Sequence, residues 1–308
     1  MSQPDEGVLD PWVEQWMEAN SAMMEPPAEY TAEYLALTRP KESPFPTRPL
    51  PKTTDDVVAG VPVRIYEHDQ PPTGLIVYFH GGGFCSGSIG LMEIIATELA
   101  HCSGAAVVSV EYRLAPEHPY PAGLDDCEAV TRWAVLNTER FGTRSSRVTV
   151  AGESAGGNLA AAVSLRLREA PGPAELAAQV LIYPVLDRPS ADYGSRRQFD
   201  TPMLRSAGLT TVATMYCGGE PEREDPYIYP LQAEKLAGLP PAFVVLGGCD
   251  VLRDEGRRYA RRLQDDGVPG EELSCPGQPH GFMNLGFPAA QAAYDRIGLW
   301  LKQQLSAE

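Results

Sequence analysis

The segment Gly152-Glu153-Ser154-Ala155-Gly156 combines a potential nucleophile with the close glycine spacing that covalent catalysis uses. A Gly-x-Ser-x-Gly string also occurs as an ordinary glycine-rich turn, so its context decides. Val148-Thr149-Val150-Ala151 precedes it, apolar and β-branched, and Leu159-Ala160-Ala161-Ala162-Val163 follows, a run of good helix formers. Strand, sharp turn and helix form the setting in which a serine is held strained above a sheet edge. The flanking glycines leave room there for neighbouring backbone and for substrate. Ser154 is therefore read as a nucleophile.

A serine hydroxyl is weakly nucleophilic and needs an adjacent base, itself oriented by an acid. In open parallel sheets such groups gather at the carboxyl ends of strands. Asp250 satisfies this rule, because it follows the apolar run Phe243–Leu246 through Gly247-Gly248-Cys249. Asp254 is its rival, but a carboxylate in the first turn of a helix already serves the helix dipole. Of the five histidines, His68, His101 and His118 have ordinary structural places, and His80 opens a glycine loop. His280 lies in Pro276-Gly277-Gln278-Pro279-His280-Gly281-Phe282, after the last expected strand. The order serine, acid, histidine is that of the α/β-hydrolase fold.

Acyl transfer also builds negative charge on a carbonyl oxygen, which needs prearranged N–H donors. His80-Gly81-Gly82-Gly83-Phe84 follows the strand-like run Leu75–Phe79, and glycines let the backbone approach that oxygen. The expected donors are Gly82, Gly83 and Ala155. A phosphate-cradling loop is the competing reading, but no Gly-Lys-Ser/Thr follows.

These residues need elements to position them. Val61, Val63 and Ile65 alternate after Val57-Val58, as in an edge hairpin. Continuous apolar runs at 75–79, 105–110, 147–151, 180–183 and 242–246 read as strands buried on both faces. Helical patterns over 90–103, 123–141, 154–169, 253–266 and 288–305 alternate with them, and a short strand is expected near 271–275. That alternation calls for a parallel sheet covered by helices. It lapses over 185–235, where one helix is expected near 209–216; an insertion of this length usually serves binding. Residues 8–24 place Trp12, Trp16, Ala19 and Met23 at helical spacing. Simple packing and a flap over a pocket are both open readings, and a Pro-rich connection follows over 40–51.

The 308 residues are 43% hydrophobic and 21% charged, enough for a substantial core. A net charge of −16 argues against nucleic acid or anionic membrane as partners. No apolar run reaches membrane-spanning length. The first residues carry neither a basic nor an apolar leader, so a cytoplasmic protein with reduced thiols is expected. The six cysteines form no Cys-x-x-Cys pair, and neither a metal nor an organic cofactor is expected.

Together these stretches resemble the hormone-sensitive-lipase family of bacterial esterases. The likeness spans about residues 50–304 and includes Tyr112-Arg113-Leu114-Ala115-Pro116-Glu117-His118-Pro119-Tyr120-Pro121-Ala122 and Asp250-Val251-Leu252-Arg253-Asp254-Glu255-Gly256. It implies an α/β-hydrolase fold, with an eight-stranded, mostly parallel sheet and a helical cap. Residues 51–184 and 236–308 would form the catalytic domain, 1–50 and 185–235 the cap. The implied activity is a serine carboxylesterase on short- to medium-chain esters, using Ser154, Asp250 and His280 without a cofactor. Phe84, Tyr183, Leu252, Phe282, Trp16 and Tyr216 would line the pocket, with Glu153 and His80 in support. An amidase, a lactonase, or a non-catalytic binder like the plant gibberellin receptors are the alternatives. The resemblance also makes a homodimer through 270–305 plausible. Glu153 departs from the aspartate of one large subgroup, and Cys249 and Val251 from bulkier neighbours of the acid; Cys249 suggests sensitivity to thiol reagents.

Overall fold

The computed structural model describes residues 7–21, 31–143, 148–170 and 175–306. Its eight strands are β1 (Lys52–Val58), β2 (Val61–Glu67), β3 (Leu75–Phe79), β4 (Ala106–Val110), β5 (Val148–Glu153), β6 (Leu176–Ile182), β7 (Ala242–Gly247) and β8 (Gly270–Cys275). They form one sheet in the order β1-β2-β4-β3-β5-β6-β7-β8. β2 is antiparallel to both its neighbours, and every other described pairing is parallel.

Helices cover both faces. Leu75, Val77 and Phe79 of β3 pack into one core layer, Ile76 and Tyr78 into the other. Strands buried on two sides must be apolar at every position, which explains the continuous runs. The first layer includes Leu124 and Val130 of α4 (Ala122–Leu136), Leu159 of α5 (Ala155–Glu169) and Tyr259 of α8 (Arg253–Asp265). The second includes Ile95 and Leu99 of α3 (Glu93–Ser103) and Ala293, Ile297, Trp300, Leu301 and Leu305 of α9 (Pro288–Ser306).

Several elements differ from the sequence expectation for physical reasons. β1 begins at Lys52, well before Val57, because an edge strand facing water carries no apolar alternation. The helix expected over 123–141 breaks at Asn137, whose Nδ2 donates back to Trp133 O at 2.7 Å; a 3₁₀ turn then spans Thr138–Phe141. α1 runs Pro11–Ala19, capped by the Asp10 carboxylate, which accepts from Trp12 N at 2.8 Å. It buries Val13 and Met17, while Trp12 and Trp16 stand edge-on to Phe287. Met23 lies outside the described residues. A short helix, α2 (Ala32–Leu37), precedes the Pro-rich connection.

The 185–235 insertion holds α6 (Gly194–Gln198) as well as α7 (Ser206–Tyr216). α6 escaped detection because its sequence, Gly-Ser-Arg-Arg-Gln, has no apolar face. What it buries is a cation. Arg196 pairs with Glu255 of α8 and donates to the carbonyls of Arg188 at 2.7 Å, Pro189 at 2.9 Å and Ala191 at 3.1 Å. Glu255 is fully buried and also accepts from Leu186 N at 2.7 Å. Removing one partner of such a pair leaves an uncompensated charge in the interior. Arg196→Ala is expected to lower unfolding stability by about 3 kcal/mol in urea titrations, whereas an exposed arginine such as Arg197 changes it by under ~1 kcal/mol.

Candidate active site

Ser154 sits on the turn between β5 and α5 with φ +55° and ψ −117°. A non-glycine residue in this region costs about 1–3 kcal/mol and persists only where its surroundings hold it. Here Ser154 N donates to Ile182 O of the adjacent strand at 2.9 Å, and Ser154 O accepts from Asn158 N at 3.1 Å. The two glycines have no room for a side chain. A Cβ on Gly152 would lie 2.2 Å from Gly156 O, and one on Gly156 would lie 2.0 Å from Phe79 O.

His280 reaches this serine from the loop after β8. Its Nε2 lies 2.9 Å from Ser154 Oγ, and its Nδ1 lies 2.7 Å from Asp250 Oδ2. Since a carboxylate only accepts, Nδ1 carries the proton and Nε2 is left as the acceptor for the serine hydroxyl. Asp250 is 1% exposed, and its Oδ1 accepts Leu252 N at 2.9 Å. The loops bearing Asp250 and His280 are bound together, Gly248 N to Cys275 O and Cys249 N to Gln278 O, each at 2.9 Å. Asp254 belongs elsewhere: it accepts Ser195 N at 2.8 Å and pairs with Arg253. His68 and His101 face backbone carbonyls of Ala100 and Arg48, and His118 is exposed.

Gly82 and Gly83 border the same space, with φ +116° and +61°. A Cβ on Gly82 would fall 2.2 Å from Ser86 O. Among the described residues no protein group accepts from their N–H groups, and Ala155, first residue of α5, has no partner one turn back. Glu153 anchors this loop: its Oε1 accepts from Gly81 N at 2.5 Å and its Oε2 from the Tyr78 hydroxyl at 2.6 Å. His80 is buried, with Nδ1 2.8 Å from Gly81 O and its ring stacked on Tyr112 at 4.3 Å. Burial pushes its pKa down, so the ring is neutral. The Tyr112 hydroxyl donates to His80 O at 2.7 Å.

A cavity of about 430 Å3 opens over these groups. Phe84, Tyr216 and Leu252 line it, and the Phe84 and Tyr216 rings stack at 3.8 Å. Three expected lining residues do not. Trp16 rests on Phe287; Phe282 is fully buried beside Tyr183; Tyr183 turns its hydroxyl to Asn284 and its ring edge to His280 at 4.8 Å. Tyr34 and Phe45 of the N-terminal segment, and Met203 and Val212 of the insertion, take their place. Cys249 is buried among Phe199, Val251 and Leu252, which removes it from thiol reagents in the native state. Arg39 was missed in the sequence. Its guanidinium donates to Cys85 O and Ala115 O, both at 3.0 Å, and pairs with Glu117, tying the N-terminal segment to the glycine loop. A single arginine before a proline gives no periodic signal.

This strand order, with a serine at the turn after β5, is the α/β-hydrolase fold. A family model for the alpha/beta hydrolase fold matches residues 76–284. Carboxylesterase NlhH of Mycobacterium tuberculosis is 37% identical over 262 residues, 82% of this chain and 81% of the relative. Esterase LipI of the same species is 37% identical over 231 residues, 74% and 72% of the two chains. The crystal structure of esterase LipW from Mycobacterium marinum superposes with a TM-score of 0.83 at 32% identity, covering 99% of each chain. The chain belongs to the α/β-hydrolase family, in its hormone-sensitive-lipase branch of carboxylic ester hydrolases.

Burial raises the Glu153 carboxyl from its ordinary 4.5 to about 8, against the opposing pull of the Tyr78 hydroxyl and the Gly81 amide. Between those values the native state keeps a proton that the unfolded chain releases. The contribution is therefore full below pH 4.5 and is lost as pH rises towards 8. Glu153→Gln, which never ionises, is expected to flatten this decline, by at most about 1.4 kcal/mol per pH unit. Denaturant titrations of both proteins across the window check it; equal slopes would contradict it.

Proposed function

We propose that Ser154, His280 and Asp250 act as a catalytic triad in this carboxylic ester hydrolase. The observation that carries this is the hydrogen-bonded chain from Ser154 Oγ through His280 to a buried Asp250, at the floor of the cavity. Ser154 attacks the ester carbonyl while His280 Nε2 takes its proton. Asp250 holds the imidazole in the required tautomer and stabilises the imidazolium that forms. The N–H groups of Gly82, Gly83 and Ala155 receive the oxyanion. His280 then returns the proton to the leaving alcohol. A water enters, gives its proton to His280, and cleaves the acyl-enzyme to the acid and free serine.

We further propose that 1–50 and 185–235 form the cap over this site and that the protein works in the cytoplasm. Lining residues from both segments support the first, and six free thiols the second. Among the described residues no helix is long and apolar enough to cross a membrane. The cavity's confinement, with the Phe84–Tyr216 stack as one wall, supports short to medium acyl chains.

Two measurements test this. Ser154→Ala is expected to lower kcat on p-nitrophenyl butyrate by at least about a thousandfold, and to abolish stoichiometric fluorophosphonate labelling. Near-normal turnover in that variant would refute the assignment. In a panel of acyl lengths, butyrate and hexanoate esters are expected to outpace long-chain triglycerides in kcat/KM, and the reverse order would remove the chain-length reading.

A further inference from the structure

The polar atoms around the cavity are unevenly engaged. Towards Tyr34, Met92 and Asn284 each of the following side chains already has a protein partner. Thr38 Oγ1 donates to Leu35 O at 2.8 Å, Ser86 Oγ donates to Gly82 O at 2.8 Å, and Asn284 Oδ1 accepts the Tyr183 hydroxyl. The end lined by Asn158, Val185, Asp187 and Ile228 differs.

Asn158 lies one turn beyond Ser154 on α5 and is 1% exposed. Its Nδ2 donates to Val185 O at 2.8 Å and to Ile228 O at 2.7 Å. Two carbonyl partners fix which end of the amide is nitrogen. Oδ1 then has no hydrogen-bond partner among the described residues, although it is buried. Asp187, two residues past Val185, also borders the cavity. Its Oδ1 takes Arg188 N at 2.9 Å and its Oδ2 the Tyr193 hydroxyl at 2.6 Å, so each oxygen keeps further accepting capacity. Arg258 stands 3.8 Å from Oδ2 and offsets part of its charge. Tyr216 is another lining residue with an unpaired buried atom, but the titratable neighbours of its hydroxyl are Cys127, Tyr120, Cys217 and Arg166, none of which lines the cavity.

We infer that this end is a hydrogen-bonding subsite for a substrate hydroxyl, presented to Asn158 Oδ1 and Asp187. The preferred esters then carry an alcohol group about one helical turn, ~6 Å, from the reacting carbonyl. This rests on the ester-hydrolase reading with Ser154 as nucleophile. A plain alkyl chain seated here leaves the buried Oδ1 acceptor without a partner, as it stands among the described residues, whereas a hydroxyl that reaches it satisfies it.

Two matched pairs test it: ethyl hexanoate against ethyl ω-hydroxyhexanoate, and butyl acetate against butanediol monoacetate. These put the hydroxyl on the acyl and on the alcohol side. In at least one pair the hydroxylated ester is expected to have a kcat/KM higher by about tenfold or more. Asp187→Asn and Asn158→Leu are each expected to bring that ratio towards one. The ratio is taken within one preparation, so partial loss of folded protein does not move it, and Asp187→Asn stands alone if the other variant fails to fold. A smaller preference in both pairs, or one unmoved by substitution, overturns the subsite while leaving ester hydrolysis intact. A wild-type protein that cleaves none of these esters, nor p-nitrophenyl butyrate, overturns both readings.

Discussion

The organising constraint is the strained backbone of Ser154. A serine at φ +55° is unstable in isolation, and its neighbours must hold it there. The sheet supplies one restraint, because Ser154 N completes the β5–β6 ladder by bonding to Ile182 O. α5 supplies the other, with Asn158 N accepted by Ser154 O. Both restraints require the chain to turn within very little space, so Gly152 and Gly156 nearly touch each other and the end of β3. The side chain at 154 is thereby projected above the sheet edge, where residues distant in sequence can reach it.

That reach is made by backbone stitching rather than by long side chains. Asp250 and His280 come from successive parallel strands, β7 and β8, whose ends are joined by the Gly248 and Cys249 amide bonds to Cys275 and Gln278. The glycine loop is fixed by a different device, a carboxylate next to the serine itself. Glu153 ends β5, and its two oxygens hold Gly81 N and the Tyr78 hydroxyl of the neighbouring β3. One residue therefore links the position of Ser154 to that of the amides beside it. A protonated acid suits so buried a place better than an ion, since no cation pairs with it among the described contacts.

What could be read from the sequence follows from which forces shaped each part. Buried strands and the α9 face were legible because burial on both sides leaves only apolar residues, and helix packing leaves a periodic stripe. Ser154, Asp250 and His280 stood out in the sequence because glycine turns and strand ends mark them, and the fold brings the three side chains within hydrogen-bonding distance. The pocket was not legible. Trp16, Tyr183 and Phe282 have the right composition to line an apolar cavity, but their directions depend on tertiary packing that no local pattern encodes. α6 and β1 were missed or cut short for a related reason: one packs through a buried arginine, the other faces water.

The insertion makes the same point about energetics. It has little apolar periodicity, yet it is fixed, because Arg196 collects the carbonyls of residues 188, 189 and 191 and meets Glu255 beneath them. A polar clamp of this kind is directional where hydrophobic packing is not. It ties down the 188–191 loop next to Asp187, which borders the cavity. Glu255 lies five residues past Asp250 on the same chain segment, and Leu186 N reaches back to it. The loop that borders the cavity is thus anchored, through a buried ion pair and the Leu186 amide, to the helix that follows Asp250.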